Sequence, residues 1–542
     1  VLNRDYVSIK VDREERPDLD GIYMSACQMI SGGGGWPLTI IATPEGKPFF
    51  AGTYFTKGGS AGSPGIVDIL QDIATRWKLA RREVSKVAEE VAQALREFAS
   101  YREPAEISPD ILAVGRKQAE SSFDEVNGGF EVVPKFPTPH RLTYLLRYHQ
   151  MSGDGMARDM VMLTLRKMRD GGLFDHVGYG FHRYSTDARW LLPHFEKMLY
   201  DQALLALAYA EAFAVSGDED LKRTSMRTLA YVERDMTSPY GAFYSAESAE
   251  SEGEEGKYYV WRSAEVEELL GKGSGLFMEA FDVQREGNFR DEASRRRTGA
   301  NILHRVLSAQ ELGRKYGMTP KAAEAILEHG LSRLFEARER RPRPDRDDKV
   351  LTDWNGLMVA SMARCSALLG DRRLLELARR AADFLLSEMD RGGRLSHRFV
   401  DGQVGIDGFL DDYSFAIWGM VELHKAGGGE RYLREAEELA RSMIAHFWNP
   451  SAGGFFFTAD DAETIIARRM EVYDGAMPSG NSVAATTLAE LSRITGEREY
   501  ELKARATIKA FAADLTSNPL AHSHMLMAKM AVDTVRDKEE GT

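Results

Sequence analysis

A repeat constrains this chain more than any other feature. From about Pro109 onward a strongly apolar helix, a glycine-bearing turn and a more charged helix recur. The clearest copies begin Tyr200-Asp201-Gln202-Ala203, Asp353-Trp354-Asn355-Gly356, Asp411-Asp412-Tyr413-Ser414 and Gly480-Asn481-Ser482-Val483. Each opens on a short polar residue suited to an N-cap. The turns are Gly217-Asp218, Gly370-Asp371, Gly428-Gly429-Glu430 and Gly496-Glu497. A Gly-Gly-aromatic or Gly-Gly-Leu segment follows in several copies: Gly128-Gly129-Phe130, Gly171-Gly172-Leu173-Phe174 and Gly453-Gly454-Phe455.

About six apolar helices fall near residues 139–150, 200–215, 354–369, 412–426, 481–494 and 520–533. About six amphipathic ones fall near 109–122, 157–169, 220–236, 373–388, 431–447 and 498–514. A helix apolar nearly all round must be buried, and one with a polar face can border water. Alternating the two types gives an inner and an outer ring. Six pairs can close on themselves, which removes the need for capping repeats. The expectation is a mainly α chain, an (α/α)₆ toroid. Periodicity alone also fits an open helical solenoid.

From about Ser245 to Asp348 the period is broken by a charged, partly β-like stretch, with Lys257–Trp261 expected as a strand. This reads as an insertion. The first hundred residues differ again. Val7–Val11 reads as a strand and Leu19–Met29 as a helix. After Gly32–Gly35, Trp36 and Pro37 come strand Leu38–Ile41, a Pro44-Glu45-Gly46 turn, a partner strand from Pro48, and a long helix over Ile66–Phe98. The expected division is 1–104 and 105–542, with the insertion at about 245–348.

The formal net charge of −13 argues against nucleic acid as the main partner, because phosphate binding wants a basic face. No apolar run approaches the ~20 residues of a membrane span. Two cysteines, Cys27 and Cys365, far apart, exclude a disulfide framework and make a reducing, cytoplasmic setting the default. The chain opens at Val1, straight into an apolar alternation, so a segment upstream is expected to be missing by truncation or incomplete gene definition.

A strand entered through Gly-Trp-Pro, then a hairpin and a terminal helix, resembles the second half of a thioredoxin fold. Pro37 matches the cis-proline of that fold, so a cis Trp36–Pro37 bond is expected. The redox chemistry needs a Cys-X-X-Cys pair, which this chain lacks, and Cys27 reads as a small buried apolar residue. More specifically, Val7–Asp18, Gly34-Gly35-Trp36-Pro37-Leu38 and Gly52-Thr53-Tyr54-Phe55 resemble the YyaL-type thioredoxin-domain family, which includes spermatogenesis-associated relatives in animals. The likeness continues through Pro134-Lys135-Phe136-Pro137, Pro193–Gln202, Glu252–Lys257, Asp353-Trp354-Asn355-Gly356 and Pro478–Ser482, essentially the whole chain. The resemblance implies a partial α/β thioredoxin-like domain followed by a six-hairpin toroid similar to those of glycosidases and sugar epimerases. It implies no settled substrate or reaction.

In a closed ring every outer-to-inner connection lies at one end, so all inner-helix N-termini point to one mouth. The long loops are these connections, and long loops on a rigid scaffold carry function. The candidates for catalysis delivered there are His176, His194, Glu196, Asp201, Asp353, Asp411 and Asp412. Candidates for substrate binding are His140, Phe174, Asp175, Tyr179, His182, Tyr184, Trp190, Trp354, Asn355, Tyr413, Ser479 and Asn481. His522 and His524 arrive at the same end, two apart and free to be merely exposed. Carboxylates, imidazoles and flat rings around one cavity suit a polyhydroxylated ligand. Asp201, Asp353, Asp412 and Asn481 can equally be helix caps, worth ~1 kcal/mol each. No His-Glu-X-X-His occurs, and neither metal nor cofactor is expected. Gly32–Gly35 lacks the Lys-Ser/Thr of a phosphate loop.

The expected function is therefore a carbohydrate-active or carbohydrate-binding protein acting on a small sugar or glycan by acid–base chemistry at the mouth. A glycoside hydrolase would set two carboxylates across the cavity, and an epimerase an acid–base pair. A non-catalytic binding or scaffold protein, or a thiol-redox protein lacking its Cys-X-X-Cys segment, are the alternatives. Oligomeric state is not legible.

Overall fold

The computed structural model describes residues 1–59, 64–100, 103–130, 133–291, 294–463 and 466–540. Near the N-terminus Pro17 opens α1 (Pro17–Ser31), where its missing N–H would have been unpaired anyway. Gly32 ends α1 at φ 76°, a conformation glycine adopts without a Cβ clash. Strands β1 (Leu38–Ala42) and β2 (Pro48–Thr53) form an antiparallel hairpin with Leu38 opposite Thr53. The Trp36–Pro37 bond is cis, as expected. The expected long helix is two, α2 (Ile66–Leu79) and α3 (Arg81–Ser100), parted at Ala80 (φ −132°, ψ 37°). No helix-breaking residue marks that junction in the sequence. Val7–Val11 is not a strand: no ladder pairs it among the described residues, and Val7 and Ile9 are 90% and 80% exposed. Alternation proposes a strand, but only a neighbour's backbone makes one.

The remainder is built of paired helices. In chain order they are α4 (Ile111–Ser122), α5 (Pro139–Ser152), α6 (Gly155–Asp170), α7 (Leu199–Ser216) and α8 (Glu219–Tyr231). The inserted stretch holds α9 (Ser263–Leu270), α10 (Ser274–Ala280), α11 (Ala309–Tyr316) and α12 (Pro320–Arg338). Then come α13 (Thr352–Leu369), α14 (Arg372–Phe384), a hairpin of β3 (Ser396–Val400) and β4 (Gln403–Asp407), α15 (Leu410–Lys425), α16 (Glu430–Phe447), α17 (Gly480–Thr495), α18 (Arg498–Ala510) and α19 (Ser523–Glu540).

The inner helices pack in the cycle α5, α7, α13, α15, α17, α19 and back to α5, so the ring closes and is no open solenoid. The apolar character of α7 is used on every side: residues Leu199–Ala212 are all buried. Where α13 meets α15 the backbones nearly touch. A Cβ on Gly356 would lie 2.5 Å from the Phe415 carbonyl carbon, so glycine sets that spacing.

One device recurs at the glycine-bearing links Gly180-Phe181, Gly241-Ala242-Phe243 and Gly453-Gly454-Phe455. After each of several outer helices a tight turn brings an aromatic backbone against the next inner helix, whose amide side chain clamps it. Gln202 accepts from Phe181 N–H at 2.7 Å and donates to Phe181 O at 2.8 Å. Asn355 does the same to Phe243 (2.8 and 2.9 Å), and Asn481 to Phe455 (2.8 and 2.9 Å). Buried backbone groups need partners, and each clamp supplies two.

Far from the helix N-termini, the ring is plugged by charge. Glu211 takes Arg147 (3.4 Å) and Arg364 (2.8 Å), Arg364 reaches Glu422 (3.7 Å), and Lys425 joins Glu422 (2.9 Å) to Glu490 (3.7 Å). Six residues on five inner helices, two of them on α15, thus stop the far end and leave the N-terminal end as the mouth.

The insertion carries its own apolar cluster around Val266, Phe277, Leu327 and Leu334. Its expected Lys257–Trp261 strand shrinks to Trp261–Arg262, paired with Ala300–Asn301, because Tyr258 and Tyr259 are buried as packing rings instead. Among the described residues no helix is long and apolar enough to cross a membrane.

Candidate active site

The mouth is assembled from the first turns of the inner helices. None of the expected aspartate caps is at the N-cap itself: Met198, Leu351 and Phe409 hold those positions. Asp201, Asp353 and Asp411 lie inside the first turn, and Asp353 Oδ1 accepts from the neighbouring Trp354 N–H at 2.8 Å. Asp412 retains a capping task through Phe409 N–H, which donates to its Oδ2 at 2.7 Å. Asn481 follows the true cap, Ser479, whose side chain accepts from Ser482 N–H.

Three carboxyl groups are raised above the usual carboxylate range. Asp201 is 3% exposed and its Oδ2 has no partner. Burial holds its carboxyl well above the usual carboxylate range, Arg183 opposes that and Glu196 reinforces it. Asp353 is buried, and burial together with Asp412 pushes it up to about 7. Asp411 lies against the α17 N-terminus, its Oδ1 2.3 Å from where a Cβ of Gly480 would stand. Burial and the neighbouring Asp353, Glu471 and Asp412 raise it far above its ordinary value. Asp201 and Asp411 therefore favour the protonated form at neutral pH, and Asp353 is divided between its two forms.

Asp412 is held differently. His397 Nδ1 donates to its two oxygens at 2.9 and 3.0 Å, and Asp353 N–H to Oδ1 at 2.9 Å. Burial opposes charge on His397, yet Asp412 and Asp353 outweigh it and lift the ring to about 10. Ligand atoms of Asp353, His397 and Asp412 lie within 4.8 Å of one another, the spacing of a cation site. Here Asp412 is occupied by hydrogen-bond donors and His397 donates at both nitrogens, so the cluster reads as an ion pair.

A loop rim adds His194, which donates to Glu255 at 2.7 Å and stands 3.6 Å from Glu196. Burial opposes its charge, but Glu196 and Glu255 raise it to about 9. Glu196 also pairs with Arg183 at 2.8 Å. Tyr184 stacks on His194 at 5.1 Å. Tyr200 meets Trp354 edge-on at 4.8 Å, which ties the Asp201 and Asp353 sides of the mouth together.

Other candidates are placed elsewhere. Asp175 is enclosed by Arg338 (2.8 Å) and Lys197 (2.8 Å), a buried clamp between toroid and insertion. His176 donates to Gly171 O at 3.1 Å and packs edge-on against Phe281 of the insertion. His182 donates to Phe195 O and packs on Tyr259. Burial drops both rings to about 3. Phe174 and Tyr179 stack on each other beside them. Trp190 is wholly buried, donating to Asn127 O. Asn355 and Asn481 serve the clamps. Tyr413 accepts from Leu395 N–H. His140 donates to Asp474 O at 3.2 Å and leaves Nδ1 unpartnered, and burial holds it neutral, at about 3. His522 and His524 are buried beside Asp474 rather than exposed: His522 donates to Val472 O, and His524 N–H to Asp474 Oδ2.

Sequence reasoning missed the N-terminal contribution. The Asp12–Arg16 segment lies on the toroid mouth. His397 Nε2 donates to Glu14 O at 2.7 Å, Lys349 binds Asp12 at 2.9 Å, Arg398 faces Glu15 at 3.6 Å and Arg16 meets Glu463 at 3.4 Å. Burial pushes Glu14 up to about 7, against the pull of Lys349. The charge density of Asp12-Arg13-Glu14-Glu15-Arg16 was the available signal. His397, inside a strand, offered none.

Residues 1–96 match the family described as Thioredox_DsbH, protein of unknown function, DUF255. Over 98% of its length the chain is 37% identical to spermatogenesis-associated protein 20 of Homo sapiens, covering 72% of it. It is 31% identical over 97% of its length to the uncharacterized protein B0495.5 of Caenorhabditis elegans, covering 76% of it. Among solved structures it resembles a D-mannose isomerase at TM-score 0.51 and 10% identity, over 80% of this chain and 100% of that one. At that identity the likeness is one of fold, an (α/α)₆ toroid, here preceded by a thioredoxin-like part.

Proposed function

The chain belongs to the family of spermatogenesis-associated protein 20, and on that premise we propose that its toroid mouth takes a sugar or short glycan and acts on it by acid–base chemistry. One observation carries the reading: three successive inner helices each place in their first turn a carboxyl group whose proton affinity burial raises, Asp201, Asp353 and Asp411. A carboxyl poised near neutrality is suited to donate and recover a proton. Asp353, at about 7, is assigned as the proton-transfer group, with Asp411 beside it. Tyr200 and Trp354 supply flat surfaces for a sugar ring. His194 and Glu196 form the rim. Asp412 positions Asp353 by accepting its N–H. The D-mannose isomerase that shares the fold supports a sugar as the ligand class.

The test is incubation with a panel of monosaccharides and oligosaccharides, with products resolved by chromatography. Release of a smaller sugar identifies hydrolysis, and a changed stereocentre or carbonyl position identifies epimerisation or isomerisation. Asp353→Asn and Asp411→Asn should abolish turnover in folded protein. Absence of both binding and turnover across the panel overturns the reading.

A further inference from the structure

The ionic plug marks which face of each inner helix looks into the ring. Whole turns counted from a plug residue toward the helix N-terminus give the residue on the same face nearer the mouth. About three turns above Glu211, Arg364 and Glu422 stand Tyr200, Asp353 and Asp411. About two turns above Arg147 on α5 stands His140. In the cycle of inner helices α5 lies opposite α15, and α19 opposite α13. His140 therefore looks across the lumen at the wall that carries Asp411.

His524 reaches the same lumen. Its ring meets that of Trp418 edge-on at 5.4 Å. Trp418 stands about one turn above Glu422 on α15, and α17 separates α15 from α19 in the cycle. The contact therefore passes in front of α17, on its lumen side. Asp474 ties the two histidines together: its carbonyl accepts from His140 Nε2 at 3.2 Å and its Oδ2 from the His524 N–H at 2.7 Å. Each ring keeps a nitrogen to spare. His140 Nδ1 and His524 Nε2 are buried without a partner, in residues 2% and 3% exposed. The chemistry of the His140 nitrogen is fixed. A carbonyl only accepts, so Nε2 carries the proton, and burial keeps the ring neutral, at about 3. Nδ1 is then a bare acceptor, and a buried acceptor wants a donor.

We propose that His140 Nδ1 is a ligand-binding acceptor on the wall opposite the carboxyl groups, taking the hydrogen of a ligand hydroxyl beside His524, so that the lumen selects a neutral polyol reaching from one wall to the other. The inference rests on the reading of the mouth as a sugar site and adds the group that reads the ligand's far end. A bare acceptor repels an oxyanion, and the lumen guanidiniums Arg147 and Arg364 are already paired with Glu211. Nothing on that wall rewards a charged group, whereas a hydroxyl meets the acceptor and keeps its own lone pairs for a donor.

The experiment has two arms on the full chain. Nitrogen-15 NMR of histidine-labelled protein reads the His140 tautomer, which should carry its proton on Nε2, and the Nδ1 resonance should move when glucose or mannose is added. Neither reading needs a variant to fold. Calorimetric titration then compares glucose, mannose, glucuronate and the single-position deoxyglucoses on the unsubstituted protein and on His140→Phe. Loss of one hydroxyl should weaken binding about tenfold or more in the unsubstituted protein, the cost of leaving a buried acceptor unmet. The same loss should make no further difference in His140→Phe, where the acceptor is gone. A proton on His140 Nδ1 overturns the proposal whether or not a sugar binds, and so does glucuronate binding as tightly as glucose. If glucose or mannose binds while the Nδ1 resonance stays still, or while no deoxy position is coupled to His140, the sugar reading stands and this one falls. If no sugar binds the unsubstituted protein, both fall.

Discussion

His397 and Asp412 face each other at 2.9 Å in a wholly buried ion pair, and through them the carbonyl of Glu14 is joined to the N–H of Asp353. One imidazole therefore connects the N-terminal part of the chain to the proposed acid of the toroid.

The pair makes stability depend on pH in a defined direction. His397 is raised from an ordinary 6.5 to about 10, so the folded state holds its proton more tightly than the unfolded chain. The stabilisation is complete below pH 6.5 and is lost as pH rises through about 10. His397→Gln should flatten that decline and cost about 3–5 kcal/mol at pH 7, the usual effect of stranding one partner of a buried pair. Urea denaturation across pH 6 to 10 reads both.

Asp353 has the opposite chemical character but the same slope. Its carboxyl rises from 3.8 to about 7, so the folded protein favours the neutral acid and loses stability as pH climbs from 3.8 to 7. Asp353→Asn should leave stability at pH 3.5 nearly unchanged and raise it at pH 8, on the order of 2–4 kcal/mol. A variant less stable than its parent at pH 8 would show that the charge is needed for the fold. The same substitution should remove turnover, so a gain in stability accompanied by a loss of activity marks Asp353 as functional.

The amide clamps predict a purely structural phenotype. Asn355→Ala unpairs both backbone groups of Phe243, and Asn481→Ala those of Phe455. Each should cost about 2–4 kcal/mol. The clamps share no partner, so the double variant should lose the sum within ~0.5 kcal/mol. Ligand affinity measured on the folded fraction should not change.

Gly356 tests the closeness of the ring. A methyl there meets the Phe415 carbonyl carbon at 2.5 Å and the Ala416 nitrogen at 2.6 Å, and backbone cannot step aside as a side chain can. Gly356→Ala should destabilise by about 2–3 kcal/mol through overpacking, seen as a lower thermal midpoint. A shift below a few tenths of a kcal/mol would mean that α13 and α15 slide apart freely.

What the sequence determined by itself is whatever depends on residues near one another in the chain. The alternation of apolar and amphipathic helices, the glycine turns and the Gly-Gly-aromatic links are local signals, and the ring follows because an all-round apolar helix such as α7 has to be enclosed. The arrival of Asp201, Asp353 and Asp411 at one end follows from the same topology. Tertiary structure decided everything that depends on distant pairing. Val7–Val11 has the alternation of a strand and no neighbour to make it one. His176 and His182 share a loop with His194, yet the insertion buries them while His194 stays at the rim. Asn355 and Asn481 look like ligand contacts until the Phe243 and Phe455 backbones take both of their polar groups. Glu14 and His397 come together only because two segments more than three hundred residues apart close on each other. The physical reason is that periodicity reports which face of an element is buried, whereas the partner that buries or satisfies a polar group is chosen by the whole packed chain.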